Sequence, residues 1–244
     1  MIVRTLLNAC KRACNSVLRK ANHLIDRCFG LRIIRSAENT RPHPLSGDRA
    51  IEWSWVTIHL PVQPSRVMDL GCVQSVLTGI ASRLGHHVTS VDLRDIEYEM
   101  PRVTFIKGDV NELAFDPGKF DVIMNCSMIE HVGLEMRYGS GEKADGDLML
   151  MEKLSQWLAP GGTMILTLPV GIDDVIPPYH RVYGNGRLPL LLARYRIKKE
   201  EYWQKAPSGR WVSCDQPTAF GTRGTSEYYA LGLFVLEVGH QEEK

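Results

Sequence analysis

The stretch Val67–Ser75 constrains the fold of this chain more than any other part of the sequence. A run of apolar residues ends in Asp-Leu-Gly, a tight turn follows, and Ser75 opens a helical pattern. The helix is predicted to stop at Gly85, and a second strand then delivers Asp92 at its carboxyl end. This is the pattern of a first βαβ unit in a doubly wound sheet, where an acid ending the second strand holds the hydroxyls of a ribose. The sequence therefore predicts a site for a nucleoside-bearing ligand.

The turn after the first strand indicates which nucleoside ligands fit. A nicotinamide or flavin site needs Gly-x-Gly-x-x-Gly, because the pyrophosphate approaches the backbone at two points. This chain has Gly-Cys-Val-Gln-Ser at 71–75, with one glycine, and no Gly-Lys-Ser/Thr follows a strand as a P-loop would require. The sequence therefore favours a ligand without phosphates, and S-adenosyl-L-methionine meets that requirement.

The three parts of S-adenosylmethionine are each given a place along the sequence. The methionine part is predicted to lie against the Asp69–Cys72 turn, the ribose on Asp92, and the adenine near Asp109, whose carboxylate can accept from the exocyclic amine. The product would be S-adenosyl-L-homocysteine. The full predicted cofactor-binding set is Asp69, Gly71, Cys72, Ser75, Asp92, Leu93, Asp109, Val110, Asn125, Cys126 and Ser127.

The rest of the chain continues the alternation of strands and helices, which is typical of a mostly parallel sheet covered on both faces. Pro177–Gly184 is interpreted as a loop, and the last two strands as a hairpin-like pair. The predicted strands are Arg66–Leu70, Val88–Val91, Val103–Lys107, Phe120–Asn125, Thr163–Pro169, Tyr195–Trp203 and Ala230–Val238. The predicted helices are Ile51–Leu60 with Asp48 as N-cap, Asp147–Leu158 ended by Pro160–Gly162, and Leu188–Ala193.

Over about residues 48–238 the chain resembles the class I S-adenosylmethionine-dependent methyltransferases. Four features carry this resemblance: the acid at the first turn, the acid that ends the second strand, Gly-Asp after the third strand and Phe-Asp-Val-Ile at the start of the fourth. The resemblance implies an α/β, Rossmann-like fold with a seven-stranded, mostly parallel sheet and helices on both faces. A narrower resemblance is to a poorly characterised methyltransferase family associated with bacterial surface-polysaccharide and glycan biosynthesis. Its residues are Ser127–Leu134, Arg137–Gly139, Asp145–Leu148, Leu168–Gly171 and His180–Tyr183.

Methyl transfer to a hydroxyl needs alignment of donor and acceptor and a group that takes the acceptor's proton. His131, after the fourth strand, is the first candidate for this base, and His180, after the fifth, is the second. Glu130 or Asp147 would orient the base. The alternative for His131 is a bond to neighbouring backbone at a helix start, and for His180 a solvated place in a loop.

The acceptor is predicted to contact Arg181, Tyr183 and Asp147, although Arg181 and Tyr183 could instead brace their loop. Trp53 and Trp55 could stack on a sugar ring, but tryptophans two residues apart on a helix face different ways, so at least one belongs to the core.

No metal site is predicted. Glu130, His131, Asp145 and Asp147 offer the ligand types that some O-methyltransferases use for a divalent cation. They lack a compact ligand spacing.

The N-terminal part has a net positive charge, whereas the rest of the chain is net negative. Residues 1–45 form a predicted segment of their own, and residues 46–244 the methyltransferase domain. Nine basic and two acidic residues up to Arg41 give this part a net charge of +7, and apolar residues at three-four spacing over Ile2–Phe29 predict an amphipathic helix. The helix could pack on the domain or a second subunit, lie on an anionic membrane face, or contact nucleic acid.

Composition narrows the location and the partners. The six cysteines include no Cys-x-x-Cys pair, which favours reduced thiols and a cytoplasmic protein. No apolar run reaches the roughly 18–20 residues that a membrane span needs, so membrane contact would be peripheral, at the inner face and through the N-terminal helix. With a net charge of +1, the chain is expected to bind a small-molecule or glycan acceptor and no nucleic acid, with self-association through the N-terminal helix left open.

The motifs together predict an S-adenosylmethionine-dependent methyltransferase, and the resemblance to the narrower family implies a sugar or glycan hydroxyl as its acceptor. One alternative is an O- or N-methyltransferase of small molecules or natural products. The other is a catalytically silent protein that uses the same fold for binding or assembly.

Overall fold

The computed structural model of this chain describes residues 47–96, 99–116, 118–134 and 143–239. Three sequence predictions lie outside the described residues, namely the amphipathic helix within Ile2–Phe29, the domain boundary at residue 45 and the Arg137–Gly139 part of the motif.

The described residues form five α-helices and ten strands. Helices α1 to α5 span Arg49–His59, Leu77–Arg83, Gly146–Trp157, Arg187–Leu191 and Gln216–Phe220. Strands β1 to β10 span Arg66–Leu70, His87–Asp92, Val103–Lys107, Phe120–Cys126, Leu158–Val170, Asp174–Ile176, His180–Val182, Tyr195–Lys205, Trp211–Cys214 and Ala230–Val238.

Eight of these strands form one sheet in the order β3-β2-β1-β4-β5-β10-β8-β9. Strands β1 to β5 run parallel, whereas β10 is antiparallel to both of its neighbours, β5 and β8. The predicted α/β class and the antiparallel pairing of the last two predicted strands are confirmed. This order puts the carboxyl ends of β1, β2 and β4 side by side, which is where doubly wound sheets bind their ligands.

The predicted strand number of seven is wrong by one. The extra strand, β9, pairs with β8 at the outer edge of the sheet after a tight turn in which the Ala206 amide donates to the Arg210 carbonyl at 2.7 Å. Gly209 supplies a positive φ of 79° in that turn. Four residues of mixed polarity on an edge strand carry little hydrophobic pattern, so the sequence did not mark β9 as a strand.

The segment predicted as a loop at Pro177–Gly184 is also partly a strand. Strands β6 and β7 form a separate two-stranded antiparallel ribbon in which Ile176 pairs with His180. All three residues of β7 are buried. A three-residue strand between prolines and a glycine is too short for an alternating pattern to show in the sequence.

The core lies on both faces of the sheet because successive side chains of a strand point to opposite sides. On one face, α1 and α2 pack on Val67 and Ile165. On the other face, α3 packs on Met68 and Leu166. The central strands β1 and β4 are therefore buried almost throughout, which explains their continuous apolar runs.

The boundary between α3 and β5 differs from the prediction. The helix ends at Trp157, and Leu158 already pairs with Phe120 as the first residue of β5. Pro160–Gly162, predicted to stop the helix, lies within the strand instead, where the pairing of β4 with β5 shifts register between Phe120 and Val122. Among the described helices, none is long and apolar enough to cross a membrane.

Candidate functional site

A cavity of about 260 Å³ lies at the carboxyl ends of β1, β2 and β4. Its position is the one expected for the ligand site of a doubly wound sheet. The residues of the predicted cofactor-binding set that line it are Gly71, Ser75, Asp92, Leu93, Asp109, Val110, Cys126 and Ser127.

The Asp92 carboxylate is held in place at the end of β2. It is 7% exposed, its Oδ2 accepts from the Val73 amide at 2.9 Å, and its Oδ1 accepts from the Arg94 amide at 2.9 Å. Oδ1 also accepts from Nε of Arg94 at 3.3 Å, whereas Oδ2 keeps a second lone pair that can accept from a hydroxyl. The carboxylate is therefore fixed in orientation and suited to accept from a hydroxyl of a ribose.

Gly71 forms the tight turn between β1 and the wall of the cavity. Its φ is 71°, in the left-handed region that favours glycine, and its amide donates to the Val91 carbonyl at 2.9 Å. A Cβ at this position would lie 2.9 Å from Cγ of Met128, the residue that starts the turn after Ser127. A side chain is therefore excluded twice, by backbone conformation and by the neighbouring turn.

Asp69, Cys72 and Asn125 do not line the cavity, and the structure places them behind its wall. The Asp69 carboxylate accepts from the Thr78 hydroxyl at 2.6 Å, and its burial raises its pKa to about 7. Both atoms of the Asn125 side-chain amide are buried without a hydrogen-bond partner among the described residues. Ligand contact by these three residues stays a prediction.

All three predicted catalytic residues line the cavity, and the geometry defines the tautomer of His131. Its Nδ1 lies 2.6 Å from the carbonyl oxygen of Tyr179, which can only accept, so Nδ1 carries the proton. Nε2 is then the unprotonated nitrogen of the neutral ring, and it lies 3.7 Å from Oε1 of Glu130. This arrangement is the one that a general base requires.

Glu130 is almost fully buried beside His131, at 2% exposure. Burial raises the pKa of its carboxyl group to about 8, and the nearby charge of Glu52 adds to the shift. Oε2 has no hydrogen-bond partner among the described residues. At neutral pH the group is therefore mainly a neutral carboxylic acid that can donate as well as accept a hydrogen bond.

His180 also faces the cavity, but from β7 rather than from a loop. Its ring is 5% exposed and meets the Tyr229 ring edge to face, with centroids 5.3 Å apart. The alternative of a solvated loop histidine is therefore wrong. Tyr229, which lines the cavity too, donates its hydroxyl to Asp48.

The residues predicted to contact the acceptor, Arg181, Tyr183 and Asp147, are buried away from the cavity. Arg181 donates to the carbonyls of Val132 and Ala144. The Tyr183 hydroxyl donates to Asp147 at 3.0 Å. These contacts match the bracing alternative, because they join β7 to the segments on either side of residues 135–142. Acceptor binding by the three stays a prediction.

Two residues of α1 belong to the cavity, and only one of them was considered from the sequence. Arg49 and Trp53 lie four positions apart, so both side chains face the same side of the helix and reach the cavity. Trp55 faces the core at 7% exposure, as expected for one tryptophan of this pair. Arg49 was missed because its helix lies before β1, outside the motifs of the βαβ unit.

No group of three or more His, Cys, Asp or Glu side chains among the described residues is arranged to hold a metal ion. Asp145 and Asp147 face Arg187 instead, with ion-pair distances of 3.2 and 2.5 Å to its Nη2.

If Tyr183 braces β7, Tyr183→Phe should lower the free energy of unfolding by about 1–2 kcal/mol, because Asp147 would lose one of its donors inside the protein. Urea denaturation measures this. Tyr228→Phe is the matched control, since that side chain is 38% exposed, and it should change stability by less than about 0.5 kcal/mol. Equal stabilities for Tyr183→Phe and the wild type would contradict the bracing role.

Glu130→Gln should change how stability depends on pH. The folded state holds the Glu130 proton up to about pH 8, whereas the unfolded chain releases it near the ordinary value of 4.5. Stabilisation by this group is thus complete below pH 4.5 and is lost as the pH rises towards 8, with a slope of about 1.4 kcal/mol per pH unit. Glutamine cannot ionise, so the free energy of unfolding of the variant should rise relative to that of the wild type between about pH 5 and pH 8.

Chemical denaturation across this pH range measures the difference between the two proteins. Glu99→Gln, at an exposed position, is the matched control and should track the wild type. A constant difference between wild type and Glu130→Gln would show that the Glu130 pKa is not raised.

Comparison with proteins of known structure supports the fold assignment. The chain is similar to 1,6-didemethyltoxoflavin-N1-methyltransferase from Burkholderia thailandensis, solved with S-adenosylhomocysteine bound, at 15% identity, 88% coverage of both chains and a TM-score of 0.52. It is also similar to an S-adenosylmethionine-dependent methyltransferase from Mesorhizobium loti, at 14% identity, 76% and 96% coverage and a TM-score of 0.53. The fold is thus that of class I S-adenosylmethionine-dependent methyltransferases.

Curated relatives are similar over part of their length. The chain is 31% identical over 100 residues to the ubiquinone biosynthesis O-methyltransferase of Albidiferax ferrireducens, covering 36% of this chain and 40% of the relative. It is 26% identical over 134 residues to the protein of the same name from Xanthomonas campestris pv. campestris, covering 51% of each. The chain thus spans about half the length, or less, of these relatives.

One protein family matches about half of the chain. The match runs from residue 80 to residue 204, just over half of the 244 residues. It includes the end of β2 with Asp92, the Glu130–His131 pair and β7 with His180. This chain belongs to the family described as Caenorhabditis protein of unknown function, DUF268.

Proposed function

We propose that this chain is an S-adenosylmethionine-dependent methyltransferase that methylates a hydroxyl of a sugar or glycan. One observation carries the proposal: a single cavity brings the fixed Asp92 carboxylate and the Gly71 turn together with His131, whose Nε2 is the unprotonated ring nitrogen. A nucleoside-binding carboxylate and a base that share one cavity match what methyl transfer to a hydroxyl needs.

S-Adenosylmethionine fits these residues better than a phosphate-bearing nucleotide does. The cavity is lined by two acids, Asp92 and Asp109, and by two cations, Arg49 and Arg94, so its charge does not decide between the two kinds of ligand, whereas the turn after β1 does. The turn at Gly71 lets backbone approach the ligand closely at one point, without the second glycine that a pyrophosphate requires. Asp92 would hold the ribose, the segment at Asp109 and Val110 the adenine, and the first turn the methionine part.

Arg49 adds a cation that the sequence did not predict at this site. Its Nη1 donates to Glu52 at 2.8 Å, and its other guanidinium N–H groups can reach further partners in the cavity. The methionine part of the cofactor ends in a carboxylate, which a guanidinium binds well. Arg49 is therefore the residue of α1 that we assign to cofactor binding.

The chemistry divides between cofactor and protein. When bound, S-adenosylmethionine supplies a methyl group on a sulfonium, which an acceptor oxygen displaces in line. His131 takes the proton that the acceptor hydroxyl loses, and the backbone carbonyl of Tyr179 keeps its Nδ1 proton in place during the transfer. Glu130, mainly neutral at pH 7, lies next to that nitrogen, and its Oε1 can accept from the N–H that His131 then carries.

Two observations support a sugar or glycan as the acceptor. The segments Ser127–Leu134 and His180–Tyr183 resemble a methyltransferase family associated with polysaccharide biosynthesis, and both contribute residues to the cavity. The aromatic rings of Trp53 and Tyr229 line the same cavity and can stack on the apolar face of a sugar. The names of the curated relatives favour a second candidate, a hydroxyl on a small organic ring.

Calorimetry with S-adenosylmethionine tests the cofactor assignment. Asp92→Ala should weaken binding by about tenfold or more, because a hydrogen bond from the ribose to a carboxylate is lost together with the carboxylate that holds the Val73 amide. The control is Asp95→Ala, an exposed acid three residues later that pairs with Lys107 at 3.3 Å, and it should bind like the wild type. Absence of wild-type binding at millimolar ligand would refute the enzyme assignment, and normal binding by Asp92→Ala would refute the ribose site.

Release of S-adenosylhomocysteine tests the base. With an acceptor found by screening sugars, oligosaccharides and ring hydroxyls, His131→Ala should lower kcat by about 100-fold or more while cofactor affinity stays within about threefold. His180→Ala should have the smaller effect. His87→Ala, exposed at the opposite end of β2, is the control. Full activity in both cavity variants would exclude a histidine base, and turnover of ring hydroxyls alone would replace the glycan assignment.

A further inference from the structure

Ser127 has a backbone conformation that its side chain does not explain. Its φ is 47°, in the left-handed region, which is unfavourable for a residue with a Cβ. Ser127 follows directly after β4 and lines the cavity. Something outside the residue must therefore hold this conformation.

The holding group is a cluster of hydrogen bonds that ends on Glu52 of α1. The Ser127 amide donates to the carbonyl oxygen of Thr167 at 3.0 Å and to its hydroxyl at 3.1 Å. The hydroxyls of Ser127 and Thr167 both donate to Oε1 of Glu52, the latter at 2.6 Å. Glu52 is fully buried, so these bonds are protected from water.

The directions of these bonds leave one consistent set of donors and acceptors. Each hydroxyl has a single proton, and that of Thr167 goes to the Glu52 oxygen at 2.6 Å rather than to Sγ of Cys126 at 3.5 Å, so the Thr167 oxygen is left to accept from the Ser127 amide. The second oxygen of Glu52 accepts from Arg49 at 2.8 Å. Burial raises the pKa of Glu52, whereas Arg49 and the two hydroxyls oppose that shift because they stabilise the carboxylate. As a carboxylate Glu52 acts only as an acceptor, which a side chain without an oxygen at this position cannot replace.

The conformation of Ser127 decides where the next residue lies. Met128 packs its side chain against Gly71, and its Cγ lies 2.9 Å from the point where a Cβ on Gly71 would stand. Ser127 therefore sets the spacing between the turn after β4 and the turn after β1. Both turns line the cavity that we assign to S-adenosylmethionine.

We infer that Glu52, a residue outside the cavity, is a positioning residue for the cofactor site, because its buried carboxylate holds Ser127 in the left-handed conformation that seats Met128 on Gly71. The inference rests on the proposed function for what the cavity binds. It does not require Glu52 to touch the cofactor or the acceptor.

Two substitutions at position 52 separate this role from general packing. Glu52→Gln keeps an oxygen that can accept from both hydroxyls, whereas Glu52→Met has a similar length and no such oxygen. Both lose the ion pair with Arg49, so their difference reports on whether the side chain has an oxygen that accepts from Ser127 and Thr167. S-Adenosylmethionine affinity by calorimetry should fall about tenfold further in Glu52→Met than in Glu52→Gln, equivalent to about 1.4 kcal/mol.

Substitutions at position 127 test the backbone directly. Ser127→Ala and Ser127→Gly both lose the hydroxyl, but glycine adopts a φ of 47° without strain. Ser127→Gly should bind about tenfold more tightly than Ser127→Ala. The double variant Glu52→Met, Ser127→Gly should likewise recover most of the affinity lost in Glu52→Met. Equal affinities for the two position-127 variants, or equal losses for the two position-52 variants, would overturn the inference.

Hydrogen–deuterium exchange of the ligand-free protein separates this inference from the proposed function. The amides at 127–131 should exchange about tenfold faster in Glu52→Met than in Glu52→Gln, with α3 exchanging alike in both as the control for global stability. Because this measurement needs no ligand, it still tests the positioning role if the wild type binds no S-adenosylmethionine. Absence of binding would refute the proposed function but not the positioning role. Equal exchange at 127–131 in both variants would refute the positioning role.

Discussion

The buried carboxylate of Glu52 is the interaction on which the cavity depends. It accepts from Arg49, Ser127 and Thr167, and so ties α1 to the end of β4 and to β5. A buried carboxylate is costly unless its oxygens are paired, and here both are, which makes the arrangement of the three elements specific. The left-handed turn at Ser127 and the seating of Met128 on Gly71 follow from it.

The cavity has two ends with different electrostatic character. At the end formed by β2, Asp92 keeps a fixed carboxylate that suits the hydroxyls of a nucleoside. At the end formed by the segment after β4, burial raises the pKa of Glu130 to about 8, so that its carboxyl is neutral beside the unprotonated Nε2 of His131. The two ends thus offer different hydrogen-bonding groups, since Asp92 is held by the amides of Val73 and Arg94 and Glu130 is desolvated.

The sequence predictions were correct where the local hydrophobic and turn patterns are strong. The elements predicted correctly carry long apolar runs or clear turn signals. They are the βαβ unit, the strands at Arg66–Leu70 and Val103–Lys107 and the antiparallel final pair. Strands β7 and β9 are three and four residues long, so no periodicity identified them. Asp69, predicted at the site, faces Thr78 behind the cavity wall, because a motif gives the position of a residue but not the direction of its side chain.

By itself, the sequence determined the fold class, the edge of the sheet that carries the site and the presence there of Gly71, Asp92 and His131, because these depend on residues close together in the chain. The tertiary structure alone decided which side chains reach the cavity. Arg49 and Glu52 approach it from a helix that lies before β1, and Glu52 meets Thr167 across 115 residues of sequence. It also decided that Arg181 and Tyr183 are buried in bracing contacts. Contacts between distant segments depend on the packing of helices on the sheet, which no local pattern records.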